Sequence, residues 1–207
     1  MLHTFITRVC DNGPVPKIVD HEQRRRELAG AVWRVIARDG VAEVSIRTVA
    51  AEAGWSSGAL RHYFATRAEL LAFACEQVID QVTKRLMARR PTGNLRADVR
   101  DALLETMPVD DGRRTEASIA FSFLALGLGD PELARVQRLH FRSMYELCLR
   151  LVGQLVPAPR RAGHETLARR LHAVVDGLTV HVLAGHLSAG EMVEQLTAYV
   201  EELADDC

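Results

Sequence analysis

Side chains that can hydrogen-bond to base edges or phosphates are concentrated between Ser45 and Arg67. Arg61 can donate two parallel hydrogen bonds to N7 and O6 of a guanine, the strongest base discrimination available to one side chain. A phosphate contact is an equally good interpretation of the same guanidinium. Helix starts in this segment would add free backbone N–H groups, which favour phosphates. The candidate DNA-binding residues are Ser45, Arg47, Ser56, Ser57, Gly58, Arg61, His62, Tyr63, Thr66 and Arg67.

The spacing of small, turn-forming and apolar residues around these groups predicts a helix-turn-helix. Val49 and Ala50 give its first helix an apolar face, and Gly54 can adopt the left-handed conformation that a tight turn requires. Leu60 lies where the second helix would return an apolar face to the first. Leu60 and Phe64 are therefore expected in the core, which leaves the polar residues of the second helix facing outward.

Capping residues and apolar periodicity predict helices through the rest of the chain, without strand-like alternation. We expect an all-α fold of about nine helices, with a flexible arm at 1–16, a three-helix N-terminal domain at 17–65 and a larger helical domain at 66–207. The longer predicted helices cover 66–89, 95–107, 115–128, 130–156 and 165–185. The predicted helix starts are Asp20 with Gln23, Ser45, Ser56 or Ser57, Thr66 with Glu69, Asn94, Asp130 before Pro131, and Ser188 with Glu191.

The composition is that of a globular protein, with 207 residues, 48% hydrophobic content and a formal net charge of -1. This total argues against a surface that is basic throughout, but it permits a local basic face. No apolar run approaches the roughly 20 residues that span a bilayer, and the first residues lack a secretory pattern. The four cysteines are scattered without CxxC spacing, as expected of reduced thiols. We therefore expect a cytoplasmic protein with no membrane partner, no metal and no cofactor.

The last two predicted helices each carry a broad apolar stripe. Such helices can cover the core of their own chain, or they can pair with a second copy in a two-fold four-helix bundle. We expect the homodimer, because Gly177 and Gly185 would allow close helix approach. The stripes are Leu171, Val174, Val175, Leu178, Val182 and Leu183 in the first helix and Met192, Val193, Leu196, Val200 and Leu203 in the second.

Four segments together resemble the DNA-binding domain of TetR/AcrR-family transcriptional regulators: the helix ending at Gly40, then SIRTVAAEAG, SSGALRHYF and ATRAELL. The resemblance covers about 17–71, and the segments PKIVD, ALRHYF and VVDGLTVHVLAG are similar to the BetI-like group. It implies a ligand-responsive homodimeric repressor of palindromic operators, with three helices for DNA and about six for effector binding and dimerisation. It also supports a phosphate contact for Tyr63. Arg61 and Arg67 depart from the family, which often has tyrosine and lysine there.

The larger domain should then hold an apolar cavity for a small-molecule effector, lined by the fourth to eighth helices. His172 and Asp176 stand one turn apart and could bind a metal or anchor a ligand, but a hydrogen-bonded pair is the better interpretation. The candidate effector-binding residues are Met87, Met107, Phe121, Phe123, His140, Met144, Cys148, His172 and Asp176.

Three other functions are alternatives to this one. An enzyme is disfavoured because the chain carries no HExxH, phosphate-binding glycine loop or paired cysteines. A helical scaffold protein could use the helix-turn-helix for a protein partner. A transcriptional activator of the same fold would differ only in the sign of its effect.

Overall fold

The computed structural model describes residues 21–128, 131–156 and 161–205, and every regular element in these ranges is helical. None of these helices is long and apolar enough to cross a membrane. The predicted arm at 1–16 and the predicted caps Asp20 and Asp130 lie outside the described residues. The helices are α1 (His21–Asp39), α2 (Ile46–Ala53), α3 (Ser57–Arg61), α4 (Arg67–Ala88), α5 (Leu95–Leu104), α6 (Asp111–Gly127), α7 (Pro131–Leu155), α8 (Arg161–Leu183) and α9 (Ala189–Asp205), with a short 3-10 helix at Val41–Glu43.

The predicted helix-turn-helix is confirmed in α2 and α3. Gly54 ends α2 with φ 71°, and its N–H donates to the carbonyls of the preceding turn. This left-handed conformation is the one that favours glycine. Val49, Ala50 and Leu60 are all buried, as the apolar spacing predicts. The turn thus brings the apolar faces of the two helices together.

The predicted caps fix the starts of several helices. The Ser188 N–H donates to the Glu191 carboxylate, while the Glu191 N–H donates to the Ser188 hydroxyl, so the predicted capping box before α9 is confirmed. Asn94 caps α5 as predicted. One cap was missed, because Asp110 accepts from the Arg113 N–H at 2.8 Å. The sixth helix therefore begins at Asp111, one turn before the predicted start.

The buried hydrophobic residues form two separate cores. The first is built by α1 to α4, but it also contains Ile119 and Phe123 of α6 and Leu133 and Val136 of α7. The second joins α5, α7, α8 and α9. The first core therefore crosses the predicted domain boundary at 65–66. Helix α4, about 33 Å long at 1.5 Å per residue, extends from the first core toward the second.

The apolar stripes of the last two helices are used mainly inside the chain. In α8, Leu171, Val175 and Val182 are buried in the second core. In α9, the same core contains four residues of the predicted stripe: Met192, Leu196, Val200 and Leu203. These residues cannot also form the centre of a subunit interface. The opposite side of α8 is exposed at Ala173, Gly177 and Val180, and Ala184 directly after the helix is exposed too; we call these four residues the α8 face.

Candidate nucleic-acid interface and effector cavity

The cationic candidates on α2 and α3 are open to solvent. Arg47, Arg61 and His62 are all exposed, the last two at the end of α3. Gly58 is exposed on the same short helix. A Cβ atom on Gly58 would meet only the Ser56 hydroxyl, at an ordinary 3.9 Å. Packing inside the protein therefore does not require glycine at this position.

The hydroxyl candidates act first as helix caps. Ser45 accepts from the Thr48 N–H at 3.1 Å, Ser56 from the Ala59 N–H at 3.1 Å, and Thr66 from the Glu69 N–H at 3.0 Å. Ser57 is the first residue of α3 and is half-buried. Each cap fixes a helix start and satisfies one backbone donor there. The starts of α2, α3 and α4 are thus set by short polar side chains.

Aromatic and cationic side chains from α1, from the turn and from the segment after α3 form a cluster beside α3. Trp55 in the turn and Tyr63 after the helix form an edge-to-face pair with ring centroids 5.4 Å apart. The Arg24 guanidinium lies 5.4 Å from the Trp55 ring centre, within the range of a cation–π contact. Arg25 lies similarly against Phe64. Trp55 therefore packs over the turn, and two arginines of α1 are engaged with aromatic rings.

Arg67 is half-buried, and its guanidinium is hydrogen-bonded to the protein backbone. Its Nε donates to the Val44 carbonyl at 2.7 Å, and its Nη2 donates to the Val41 carbonyl at 2.9 Å. These carbonyls belong to the 3-10 helix and the residue that follows it. The guanidinium therefore ties the first turn of α4 to the link between α1 and α2. This internal role was not anticipated in the predicted phosphate contact.

A cavity of about 210 Å³ lies between α4, α6 and α7. Its apolar wall includes Val82 and Leu86 of α4. Its polar lining comprises Thr83, Thr106, Ser143, His140 and the charged residues Glu116, Glu146 and Arg150. The volume is below the roughly 300–1,000 Å³ of clefts that hold drug-sized ligands. The cavity therefore suits a compact ligand with a few polar groups.

Of the nine candidate effector-binding residues, His140 and Met144 line this cavity. The other seven lie elsewhere. Met87 is 82% exposed and borders a more open groove at the end of α4. Met107 and Cys148 are buried in the second core and Phe123 in the first, and Phe121 is half-buried on α6. His172 and Asp176 lie together on α8.

The His172–Asp176 pair is a local contact on α8 beside α7. The distance from Nε2 of His172 to Oδ2 of Asp176 is 3.3 Å, and the Phe141 ring lies 5.7 Å from the imidazole. Burial raises the pKa of Asp176 and lowers that of His140 to about 4, so His140 is neutral at pH 7. Within the described ranges, no group of three or more His, Cys, Asp and Glu side chains could hold a metal ion.

An ion-pair network at the ends of α4 and α5 includes Glu116 of the cavity lining. Arg85 of α4 binds both carboxylate oxygens of Glu116 on α6, at 2.8 and 2.6 Å. Its Nε also donates to the Glu105 carboxylate at 3.1 Å, and its Nη2 donates to the Glu105 carbonyl at 3.0 Å. Arg113 adds a 2.7 Å bond to the same Glu105 carboxylate. The sequence prediction did not include Glu116, although a lone acid in an apolar stretch was a usable signal.

The helix-turn-helix is thus joined by the continuous helix α4 to a helical domain that contains the cavity. Residues 29–73 match bacterial regulatory proteins of the tetR family, and residues 95–205 match the C-terminal domain of BetI-type transcriptional repressors. The chain belongs to the TetR family of regulators, with a BetI-type C-terminal domain.

Individual relatives agree with this assignment. The HTH-type transcriptional regulator PksA of Bacillus subtilis is 35% identical over 170 residues, which cover 82% of this chain and 83% of that protein. A transcriptional regulator from Rhodococcus sp. has a solved structure with a TM-score of 0.78 and 26% identity, covering 88% of this chain and 96% of that one. The multidrug binding protein EbrR, solved with ethidium, has a TM-score of 0.63 and 26% identity, covering 84% and 97%.

Proposed function

We propose that this regulator is a dimeric repressor that binds a palindromic operator and is released from it by a small-molecule effector. One observation carries the proposal: the helix that starts beside the helix-turn-helix also forms a wall of the cavity. Its first turn is capped by Thr66, and its Val82 and Leu86 face the ligand space. The BetI-type repressor match supports repression rather than activation.

The DNA-facing surface would be centred on α3. Arg61 would read a guanine or contact a phosphate, and His62, Tyr63 and Arg47 would contact the backbone beside it. Because no internal packing requires glycine at position 58, we attribute this glycine to a close approach of the DNA duplex to the backbone. The capped starts of α2 and α4 would offer N–H groups to phosphates. Ser45 and Thr66 would then contribute chiefly by holding those starts in place.

The dimer would form through the exposed α8 face, with α9 beside it. Small residues at Ala173, Gly177 and Ala184 permit close helix approach, and Val180 presents an exposed aliphatic group at their centre. Val180→Asp should therefore shift the protein from dimer to monomer in analytical ultracentrifugation. Leu139→Asp on α7 is the matched control, since Leu139 is also an exposed aliphatic residue. A dimer that survives Val180→Asp would place the interface elsewhere.

Effector binding would change how α4 packs against α6. The cavity is lined by Ala117 and Ala120 of α6, and Ile119 and Phe123 of the same helix are packed in the first core. A ligand between α4 and α6 would therefore press on helices that hold the DNA-binding head. The two heads of a dimer must match successive major grooves, about 34–36 Å apart, so a small rotation weakens both together. The EbrR structure with ethidium supports a small-molecule ligand in this fold.

A fluorescence anisotropy titration against the DNA flanking the protein's own gene tests the proposal. We expect saturable binding to a palindrome that weakens steeply with salt. Arg61→Ala should cost about 1–3 kcal/mol on the operator if it reads a base, and equal losses on operator and random DNA would indicate a phosphate contact. Gly58→Ala should weaken binding while leaving the melting temperature nearly unchanged. Equal affinity for operator and random duplex would refute the proposal.

A further inference from the structure

Glu116 in the cavity wall is a buried carboxylate that is paired with Arg85. Glu116 is 8% exposed, and its two oxygens accept from Nη1 and Nη2 of Arg85. A buried carboxylate is costly unless it is paired and hydrogen-bonded. Any ligand that reaches Glu116 must therefore replace the bonds that Arg85 now supplies.

Arg85 can leave Glu116 without losing all its partners. The same guanidinium already donates to the Glu105 side chain at 3.1 Å and to the Glu105 carbonyl at 3.0 Å. Its side chain is 29% exposed, so water can solvate the groups that Glu116 would release. If the pair separates, Arg85 therefore keeps its hydrogen bonds to Glu105, whereas Glu116 needs a new cationic donor.

The remaining lining specifies what kind of cation fits. The His140 imidazole is the one ring among the described residues of the lining, so these residues form no aromatic cage. A quaternary ammonium ion has no N–H donor and depends on such cages. A protonated amine, amidine or guanidine can instead donate to both oxygens of Glu116, as Arg85 does. Burial lowers the pKa of His140 to about 4, so this ring adds no opposing charge at pH 7.

We infer that the cavity binds a compact organic cation with N–H donors, which replaces Arg85 on Glu116 and leaves Arg85 bonded to Glu105. Val78, Val82 and Met144 would cover the apolar part of the ligand. The exchange would break the ion pair that ties α4 to α6. Only its effect on DNA depends on the proposed function; ligand binding itself does not.

Calorimetry on the full-length chain tests the class of ligand with three probes of one alkyl length. Butylguanidinium should bind, whereas butyltrimethylammonium and 1-butanol should bind at least about tenfold more weakly, because neither can donate two charge-assisted hydrogen bonds. Equal or tighter binding of the quaternary or the uncharged probe would overturn the inference. Failure of butylguanidinium to bind at millimolar concentration would also overturn it.

Two variants separate ligand binding from a structural role of the ion pair. Glu116→Gln should weaken butylguanidinium binding by about tenfold or more, because a charge-assisted pair is lost. Arg85→Gln should instead tighten it several-fold, since the competing cation is gone. Glu165→Gln is the matched control, because Glu165 is an exposed acid that is also paired with an arginine, at 3.4 Å. If Arg85→Gln and Glu116→Gln weaken binding equally, the pair is structural and the inference fails.

Operator binding without ligand distinguishes the two proposals. Intact operator binding with no affinity for butylguanidinium would refute the inference and leave the repressor proposal standing. Guanidinium binding in a protein that does not prefer its operator would refute the repressor proposal and support the inference. When both bindings are present, butylguanidinium should lower operator affinity in the wild type but not in Glu116→Gln.

Discussion

Arg67 offers a test that separates folding from DNA contact. Its two hydrogen bonds join the start of α4 to the carbonyls of Val41 and Val44. A hydrogen bond that involves a charged group contributes about 1.5–3 kcal/mol, and Arg67 is only half-buried, so we expect Arg67→Met to lose about 2–3 kcal/mol in total. For a chain of this size, that corresponds to a fall of about 4–12 °C in melting temperature. Methionine preserves the apolar stem, so the change reports the guanidinium.

The matched variant is Arg61→Met, which removes the same group from an exposed position on α3. We expect its unfolding free energy to stay within about 0.5 kcal/mol of the wild type, because surface substitutions rarely do more. Its operator affinity should instead fall by about 1–3 kcal/mol. Arg67→Met should therefore lower the free energy of unfolding, whereas Arg61→Met should lower the affinity for the operator.

Differential scanning calorimetry and anisotropy titrations at several salt concentrations measure both effects. If Arg67 has no phosphate contact, the slope of log affinity against log salt should be the same for Arg67→Met and the wild type, measured well below both melting temperatures. A slope smaller by about one with unchanged stability would show that Arg67 binds a phosphate. That result would refute the internal role derived from its contacts.

Further expectations concern the two cores and the titrating groups. Phe123→Ala should destabilise the protein by about 3–5 kcal/mol in urea unfolding, because it empties a fully buried site in the first core. Folding lowers the pKa of His140 from 6.5 to about 4, so between these pH values the unfolded chain binds a proton that the folded chain does not. The free energy of unfolding should therefore fall on acidification through that window, by at most about 3 kcal/mol. In His140→Gln, urea unfolding at pH 7.5 and 4.5 should lack this contribution. Cys75 and Cys148, whose pKa burial raises to about 12, should resist iodoacetamide at pH 8 until the protein unfolds, as peptide mapping would detect.

Local chemistry made the helix-turn-helix predictable from sequence. Gly54, the Ser45 cap and buried Leu60 lie within one short segment of the chain, and all three occur as expected. Helix α3 itself is short and stops at Arg61. The missed Asp110 cap is equally local, but it was obscured by the neighbouring Asp111 and Gly112.

The cavity could not be predicted in the same way. Its ion pair joins Arg85 to Glu116, 31 residues apart in sequence, and depends on how α4 and α6 rotate against each other. A small rotation decides whether an apolar residue faces the core or the ligand, as the buried Phe123 illustrates. The stripes of α8 and α9 have the same ambiguity, since an internal core and a subunit interface require identical residue types.

The shared first core also constrains how new regulators of this type can be assembled. A recombinant sensor that joins this ligand domain to another DNA-reading head would cut through a single packed cluster. Ile119, Phe123, Leu133 and Val136 would then meet a foreign surface. In a hybrid that folds, the side chains at these four positions should therefore be changed to fit the new DNA-binding head. A junction designed only around residue 65 should yield poorly folded protein.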